Sequence, residues 1–342
     1  MKALAKLHRG PGAELIDAPV PHMGPRDVLI RIKAASICGT DLHIYEWDPW
    51  SASRIRPPII FGHELGGVVV DVGTEVTCVR CGDLVSVETH IVCGTCYQCR
   101  TGEAHVCARV SILGIDRDGA FAEFVTVPEV NIWVNPPTLA PEIAAIQEPF
   151  GNAVHSVLAG QVAGSRVAVL GCGPIGLWSI AVARAAGAAA VYAVEPSGYR
   201  RELAARMGAT QVMDPRGTDV VSRIAELTGG VGVDVVLEMS GNAGAIRDGF
   251  RMARNGGRVS LLGLPPQPLE LDLSNDIVLR GLTVQGIAGR RMYATWFQTS
   301  NLVNNGLVDP APAITHRFPL EDFREAFAQV KGGACGKVVL IP

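Results

Sequence analysis

The sequence predicts an α/β protein of two domains, one β-rich and one built on a doubly wound parallel sheet. Three observations predict it. At 342 residues the chain can bury two cores of ordinary size. Up to about residue 145 it carries short strand-like runs, such as 27–32 and 67–72, punctuated by Gly10-Pro11-Gly12, Pro57-Pro58 and Pro136-Pro137. From about 148 to 292 strand-like and helix-like segments alternate, which implies a parallel sheet with helices on both faces.

In the second region the expected strands are 166–170, 190–194, 211–213, 234–238, 258–262 and 282–286, with helices at 175–186, 199–207 and 243–253 among them. The tail mixes a helical stretch, 294–305, with a strand-like ending, 337–341, and is expected to return to the first domain. The domains expected are therefore 1–147 with 293–342, including a cysteine-rich lobe at 90–108, and 148–292.

Composition narrows the partners. Apolar residues make up 48% and charged residues 18%, a soluble globular balance. With a net charge of -3 and no long basic run, nucleic acid and anionic membrane are not expected as partners, and a small molecule is. Residues 1–12 have no apolar stretch behind their Lys and Arg, so they do not read as a signal peptide. The longest apolar region, 175–194, is interrupted by Arg184 and Gly187 and is unsuited to crossing a bilayer. The expected compartment is the cytosol.

The run 166–170 leads directly into Gly171-Cys172-Gly173-Pro174-Ile175-Gly176, and an Ala-rich helix follows. This is G-x-G-x-x-G in the setting it requires. Gly171 allows the tight turn, Gly173 lets the backbone approach a pyrophosphate, Gly176 permits close helix–strand packing, and the helix N-terminus offers free N–H groups. Alone the motif is weak. Here the next strand runs into Glu195, where a carboxylate can accept from ribose hydroxyls and repel a 2′-phosphate, which favours NAD over NADP. Arg200 and Arg201 pull the other way, since Arg accommodates a 2′-phosphate.

Of nine cysteines, Cys93, Cys96, Cys99 and Cys107 fall in one short segment. Four thiolates at this density suit a closed, structural Zn²⁺. An iron–sulfur cluster is the rival, but its usual run has another final spacing and a following Pro, where this chain has Ala108. A lobe with Gly94, Gly102 and little to bury needs such a staple.

Three further segments are individually weak: Ser36-Ile37-Cys38-Gly39-Thr40-Asp41-Leu42-His43, Gly62-His63-Glu64-Leu65-Gly66 and Glu148-Pro149-Phe150-Gly151-Asn152. A single Cys or His is more often a buried structural residue than a ligand. Together they supply a thiolate, an imidazole and two carboxylates, the set a catalytic zinc needs with one position left open. Cys38, His63 and Glu64 are the expected ligands. Glu148 is either a fourth, exchangeable ligand or a proton-relay group. His90, Trp47, Arg290 and Arg291 are weaker candidates for shaping the substrate pocket, and His8, His22, His105, His155 and His316 read as structural or exposed.

The cysteine quartet, the pairing of C-G-T-D with G-H-E and the nucleotide core in the second half together resemble the zinc-containing medium-chain dehydrogenase/reductase superfamily, over nearly the whole chain. Segments 35–45, 148–155, 286–290 and 314–320 resemble its threonine-oxidising members in particular; polyol dehydrogenases match these four less well. The resemblance implies a GroES-like catalytic domain beside the Rossmann domain, a homotetramer, NAD with one catalytic and one structural zinc per chain, and L-threonine as the substrate, oxidised to 2-amino-3-oxobutanoate. It also implies Thr40 and His43 as a charge-relay pair. Contacts to NAD are implied at Ile175, Glu195, Arg200, Leu262, Gly263, Leu264, Gly286 and Ile287. The chain departs from the family at Glu195, where Asp is frequent, and at Leu65-Gly66, where Phe and a varied residue are. The motifs admit another secondary alcohol (a polyol, a butanediol, a sugar) or a non-catalytic protein on the same scaffold.

Overall fold

The computed structural model describes residues 1–342, which form two compact units. The first comprises Met1–Pro149, Arg291–Trp296 and Ile314–Pro342. Its main sheet is organised around the strand Asp27–Ser36, where buried and less buried residues alternate up to Lys33 and burial is then continuous from Ala34 to Ser36. That switch marks a strand whose end lies inside the protein on both faces. Across the sheet the order is Ile132–Val134, Leu84–Val87, Glu64–Val72, Asp27–Ser36, Lys337–Ile341 and Ile314–Pro319, with Phe124–Pro128 also pairing Asp27–Ser36. The register sets Ser36 opposite Glu64 on one side and opposite Val339 on the other.

Two glycines in this unit are sterically required. Gly62 has φ +87°, and a Cβ there would lie 2.6 Å from the Phe121 ring, which packs edge-on against Phe61. A Cβ on Gly66 would lie 2.4 Å from the Pro141 carbonyl oxygen, so the helix Pro141–Leu158 presses its backbone onto the sheet at this point. Its Glu148 is thereby carried next to the sheet rather than a side-chain length away.

The second unit comprises Phe150–Arg290 and Phe297–Ala313. Its six strands are all parallel, in the order Gln211–Met213, Ala190–Val194, Arg166–Leu170, Val233–Glu238, Ala253–Leu261, Thr283–Gly286. Numbered along the chain, this is 3-2-1-4-5-6, the doubly wound topology, with its switch point between Arg166–Leu170 and Val233–Glu238. Leu170, Val236, Phe250 and Val259 are among the residues of its core. Arg258 is buried in this sheet and donates to the carbonyls of Ser156 (3.0 Å) and Val157 (2.9 Å), closing the C-terminal end of Pro141–Leu158 with a cation, the sign that end favours.

The tail divides differently from expectation. The sequence pattern assigns all of 293–342 to the first domain, whereas 297–313 belong to the second unit. The buried Trp178 indole donates to the Pro310 carbonyl at 3.1 Å and ties that segment down. Helix Ala294–Asn304 starts in one unit and finishes in the other, and a helical period does not say which core a face will join. No helix is long and apolar enough to cross a membrane.

Candidate active site and metal centres

The strand Asp27–Ser36 stops two residues short of Cys38, which caps the helix Gly39–Glu46 with extended backbone angles. Asp41, three residues on and fully buried, accepts from the Cys38 N–H at 2.8 Å through Oδ2, while its Oδ1 stands 3.4 Å from His63 Nδ1. His63 follows the Gly62 turn, and Glu64 opens the next strand. The ligating atoms of Cys38, His63 and Glu64 all lie within 4.8 Å of one another.

Polar satisfaction tests whether this cluster fits a metal. Asp41 Oδ1, His63 Nδ1 and Glu64 Oε1 are buried and have no hydrogen-bond partner. Asp41 Oδ1 and His63 Nδ1 face each other at 3.4 Å, a loose contact, while Glu64 Oε1 has no such neighbour; a buried carboxylate oxygen in this state is costly, and one turned toward a thiol and an imidazole fits a bound cation. Burial opposes charge on His63, yet Asp41 and Cys38 beside it hold its pKa well above the ordinary value, so the surroundings are strongly electronegative. Zn²⁺ suits a thiolate, an imidazole and a carboxylate, with Asp41 left to fix the His63 ring.

Glu64 is divided in its attachments. Its Oε2 accepts from the Ser36 hydroxyl and pairs with the buried ammonium of Lys337, while Oε1 stays unmatched. Burial raises its carboxyl above the ordinary range, Lys337 opposes this, and Glu148 adds to it. Glu148 itself is buried and accepts from the Thr89 hydroxyl at 3.1 Å. Thr40 Oγ1 lies 3.8 Å from Cys38 Sγ. His43, one turn further along the same helix, is exposed and bonds Asp48 Oδ2 through Nδ1 at 2.7 Å.

The weaker candidates scatter. His90 is held by Glu88 at 2.8 Å, and the second oxygen of Glu88 accepts from the Trp296 indole at 2.8 Å. Trp47 lies under the Lys6 ammonium, Arg291 pairs with Glu103 at 3.1 Å, and Arg290 is buried against Gly151.

In the cysteine lobe the sulfurs of Cys93, Cys96, Cys99 and Cys107 come within 3.4 to 4.0 Å of one another along the contacts between them. Tetrahedral Zn–S bonds place sulfurs about 3.8 Å apart, so the quartet has the dimensions of a closed zinc site. Backbone N–H groups of Cys96, Cys93 and Arg109 point at these sulfurs at 3.3 to 3.4 Å and favour thiolate. The amides of Thr95 and Cys96 pull the Cys93 thiol down to about 5.

At the switch point of the second unit's sheet lies a cavity of about 590 Å³, lined in part by Gly171, Gly173, Glu195, Arg200, Arg216 and Ser240. Gly171 has φ +87°; a Cβ on Gly176 would strike the Gly171 carbonyl at 2.0 Å, and one on Gly173 would meet nothing. Gly173 thus leaves space where a pyrophosphate needs it, at the N-cap of the helix Pro174–Ala185. Glu195 is buried, and its two carboxylate oxygens accept from the amides of Cys172 (2.7 Å) and Ser197 (2.8 Å). Each oxygen keeps a further lone pair for a hydroxyl. Ile175 and Gly176 start the following helix, and Leu262, Gly263, Leu264, Gly286 and Ile287 lie at the carboxyl ends of the last two strands, outside the cavity lining.

Known proteins resemble the chain over its whole length. The alcohol dehydrogenase GroES-like domain matches residues 24–138, and the zinc-binding dehydrogenase domain matches 174–305. The L-threonine 3-dehydrogenase of Bacillus licheniformis is 54% identical over 342 residues, covering 100% of this chain and 99% of that one. The chain belongs to the zinc-containing medium-chain dehydrogenases.

Solved structures agree with this dehydrogenase's fold. A zinc-binding dehydrogenase of Sinorhizobium meliloti 1021, solved with NADP bound, superposes with a TM-score of 0.92 at 34% identity, covering 100% of this chain and 99% of that one. For the 2R,3R-butanediol dehydrogenase of Bacillus subtilis the TM-score is 0.90 at 31% identity, with the same coverage. The dehydrogenase therefore pairs a GroES-like domain with a Rossmann domain, and zinc and a nicotinamide dinucleotide are its cofactors.

Three residues around the Cys38–His63–Glu64 cluster escape sequence reasoning. Asp41 had a local signal, an acid three residues after a helix-capping position, where it can reach back to the cap N–H. Ser36 and Lys337 had none, since only the strand register brings them to Glu64.

Proposed function

We propose that this dehydrogenase oxidises the side-chain hydroxyl of L-threonine with NAD, giving 2-amino-3-oxobutanoate and NADH. The carrying observation is the 54% identity, end to end, with an L-threonine 3-dehydrogenase, in a chain that keeps the full Cys38–His63–Glu64 cluster. Zinc held there supplies the Lewis acidity that makes an alcohol lose its proton at neutral pH, and NAD supplies the two-electron acceptor.

The protein's own groups handle geometry and protons. Asp41 fixes the His63 ring, and Lys337 with Ser36 holds one Glu64 oxygen while leaving the other toward the cluster. Thr40, beside Cys38, accepts the hydroxyl proton as it gives up its own toward His43, which lies on the same helix face three residues later. Asp48 fixes the His43 tautomer by accepting at Nδ1, so the exposed ring can deliver the proton to water through Nε2. Glu148, anchored by Thr89, is read as a proton-handling group rather than a permanent ligand. In the cavity, Glu195 accepts from the adenosine ribose hydroxyls, which favours NAD.

A homotetramer is part of the proposal. Strand Thr283–Gly286 is a sheet edge, and Leu264, Leu273, Val278, Leu279 and Val284 are exposed on or near that edge, an apolar surface suited to a second copy. The compartment proposed is the cytosol.

The decisive assay is NADH formation by zinc-replete protein with L-threonine, D-threonine, sorbitol and 2,3-butanediol in parallel. L-threonine is expected to exceed the others in kcat/KM by about tenfold or more. Higher efficiency on a polyol or diol overturns the substrate and leaves the zinc and NAD chemistry standing. His43→Asn is expected to lower kcat about a hundredfold with zinc content unchanged. Undiminished turnover in that variant removes His43 from the relay.

A further inference from the structure

Beside the nucleotide cavity lies an ion cluster that the proposed reaction does not use. Asp214 follows the strand Gln211–Met213, and its carboxylate binds two guanidiniums. Arg201 Nη1 approaches Oδ2 at 2.9 Å; Arg216 approaches Oδ2 through Nη2 at 2.8 Å and Oδ1 through Nε at 3.0 Å. The Arg216 backbone N–H also donates to Oδ1 at 3.0 Å.

Both arginines reach the segment that carries the ribose acid. Arg201 donates to the carbonyls of Glu195 (2.9 Å) and Pro196 (2.7 Å), Arg216 donates to Pro196, and Arg216 lines the cavity together with Glu195 and Arg200. Two guanidiniums, Arg200 and Arg216, thus line the cavity that holds the ribose acid, with Arg201 tied to the same segment, an arrangement with the charge a 2′-phosphate needs. Two carboxylates oppose them. Glu195 faces the ribose, and Asp214 occupies the guanidinium edges that a phosphate would need. The Arg216 guanidinium, with Arg201 beside it, holds the Asp214 carboxyl well below the usual carboxylate range, so the lock stays charged at every physiological pH.

We propose that Asp214 is a specificity-determining residue, which engages Arg201 and Arg216 and so withholds them from a 2′-phosphate, making discrimination against NADP depend on a second carboxylate besides Glu195. The inference rests on the assignment of this cavity to the dinucleotide. It predicts that cofactor choice can be shifted with Glu195 left in place.

The test is direct binding of NADPH and NADH, followed by nicotinamide fluorescence at low ionic strength, in the wild type, Asp214→Asn, Asp214→Glu and the double variant Asp214→Asn/Arg216→Gln. Asn keeps an acceptor for the Arg216 backbone N–H, removes the charge, and puts an NH2 donor where both guanidiniums shared an oxygen, so it releases them. Expected is a gain in NADPH affinity of about tenfold for Asp214→Asn, modest because the arginines are partly exposed and screened. NADH affinity should stay within about twofold of the wild type. Asp214→Glu should retain the wild-type preference, and Arg216→Gln on the Asn background should cancel the gain. Unmoved NADPH affinity in Asp214→Asn overturns the proposal. Loss of NADH binding in that variant also overturns it, because Asp214 would then belong to the cradle and not to discrimination. A wild type that binds neither nucleotide rejects the cavity assignment instead, a separately visible failure.

Discussion

Cys38→Ser is expected to reduce turnover by at least about a thousandfold, because the Lewis acid supplies several kcal/mol of the barrier reduction and the variant loses a thiolate that holds it. The same protein should lose about one of its two zinc ions per chain by elemental analysis. It should still bind NADH, since the cavity lined by Gly171, Gly173 and Glu195 is contributed by the second unit alone. The backbone around position 38 should survive, because the Asp41 carboxylate bonds the residue's N–H and not its sulfur. Full turnover with both zincs retained would remove Cys38 from the centre and leave the unmatched Glu64 Oε1 without an account.

Cys96→Ser should act elsewhere. Cys96 is buried in the lobe, and its sulfur contacts those of Cys99 and Cys107 at 3.4 and 3.7 Å. The lobe's helices are short, Tyr97–Arg100 and Ala104–Val106, and contain no buried residue, so metal binding on the order of 10 kcal/mol stands in for a core. The expected result is loss of one zinc per chain and rapid proteolytic cleavage between 93 and 107, with NADH affinity preserved. Persistent protease resistance in a zinc-depleted sample would show that the lobe is held by something other than its metal. Comparing the two variants assigns each zinc: one removal stops chemistry with the lobe intact, the other opens the lobe.

Sequence spacing discloses some parts of the molecule and conceals others, for physical reasons. The cysteine quartet is legible because all its ligands come from one short segment, so spacing alone nearly fixes the geometry. The glycine motif is legible because strand, turn and helix are consecutive, and Gly171, Gly173 and Gly176 each have the local steric role expected of them. The Cys38–His63–Glu64 cluster is half legible. Cys38, His63 and Glu64 can be named from their types, but nothing local reveals that Glu64 shares its carboxylate with Lys337, since that contact exists only through two strand pairings. The same holds for 297–313, whose membership of the second unit depends on Trp178 reaching Pro310. Asp214 is not legible, because a charge after a short strand has no local mark of its partners, and only the fold brings Arg201 to it.

The pairing of Glu64 with Lys337 has a consequence for biosynthesis. Cys38, His63 and Glu64 leave the ribosome early, and the whole of the second unit is translated before Lys337 appears. Until then Glu64 has no ammonium to offset its charge, and Asp27–Ser36 lacks its neighbour Lys337–Ile341. The second unit can fold on emergence, as domains do, while the sheet built on Asp27–Ser36 waits for its last strand. A nascent chain that has completed the second unit therefore still lacks the Lys337 partner of Glu64, and the surroundings of the Cys38–His63–Glu64 cluster are completed only with the last strand.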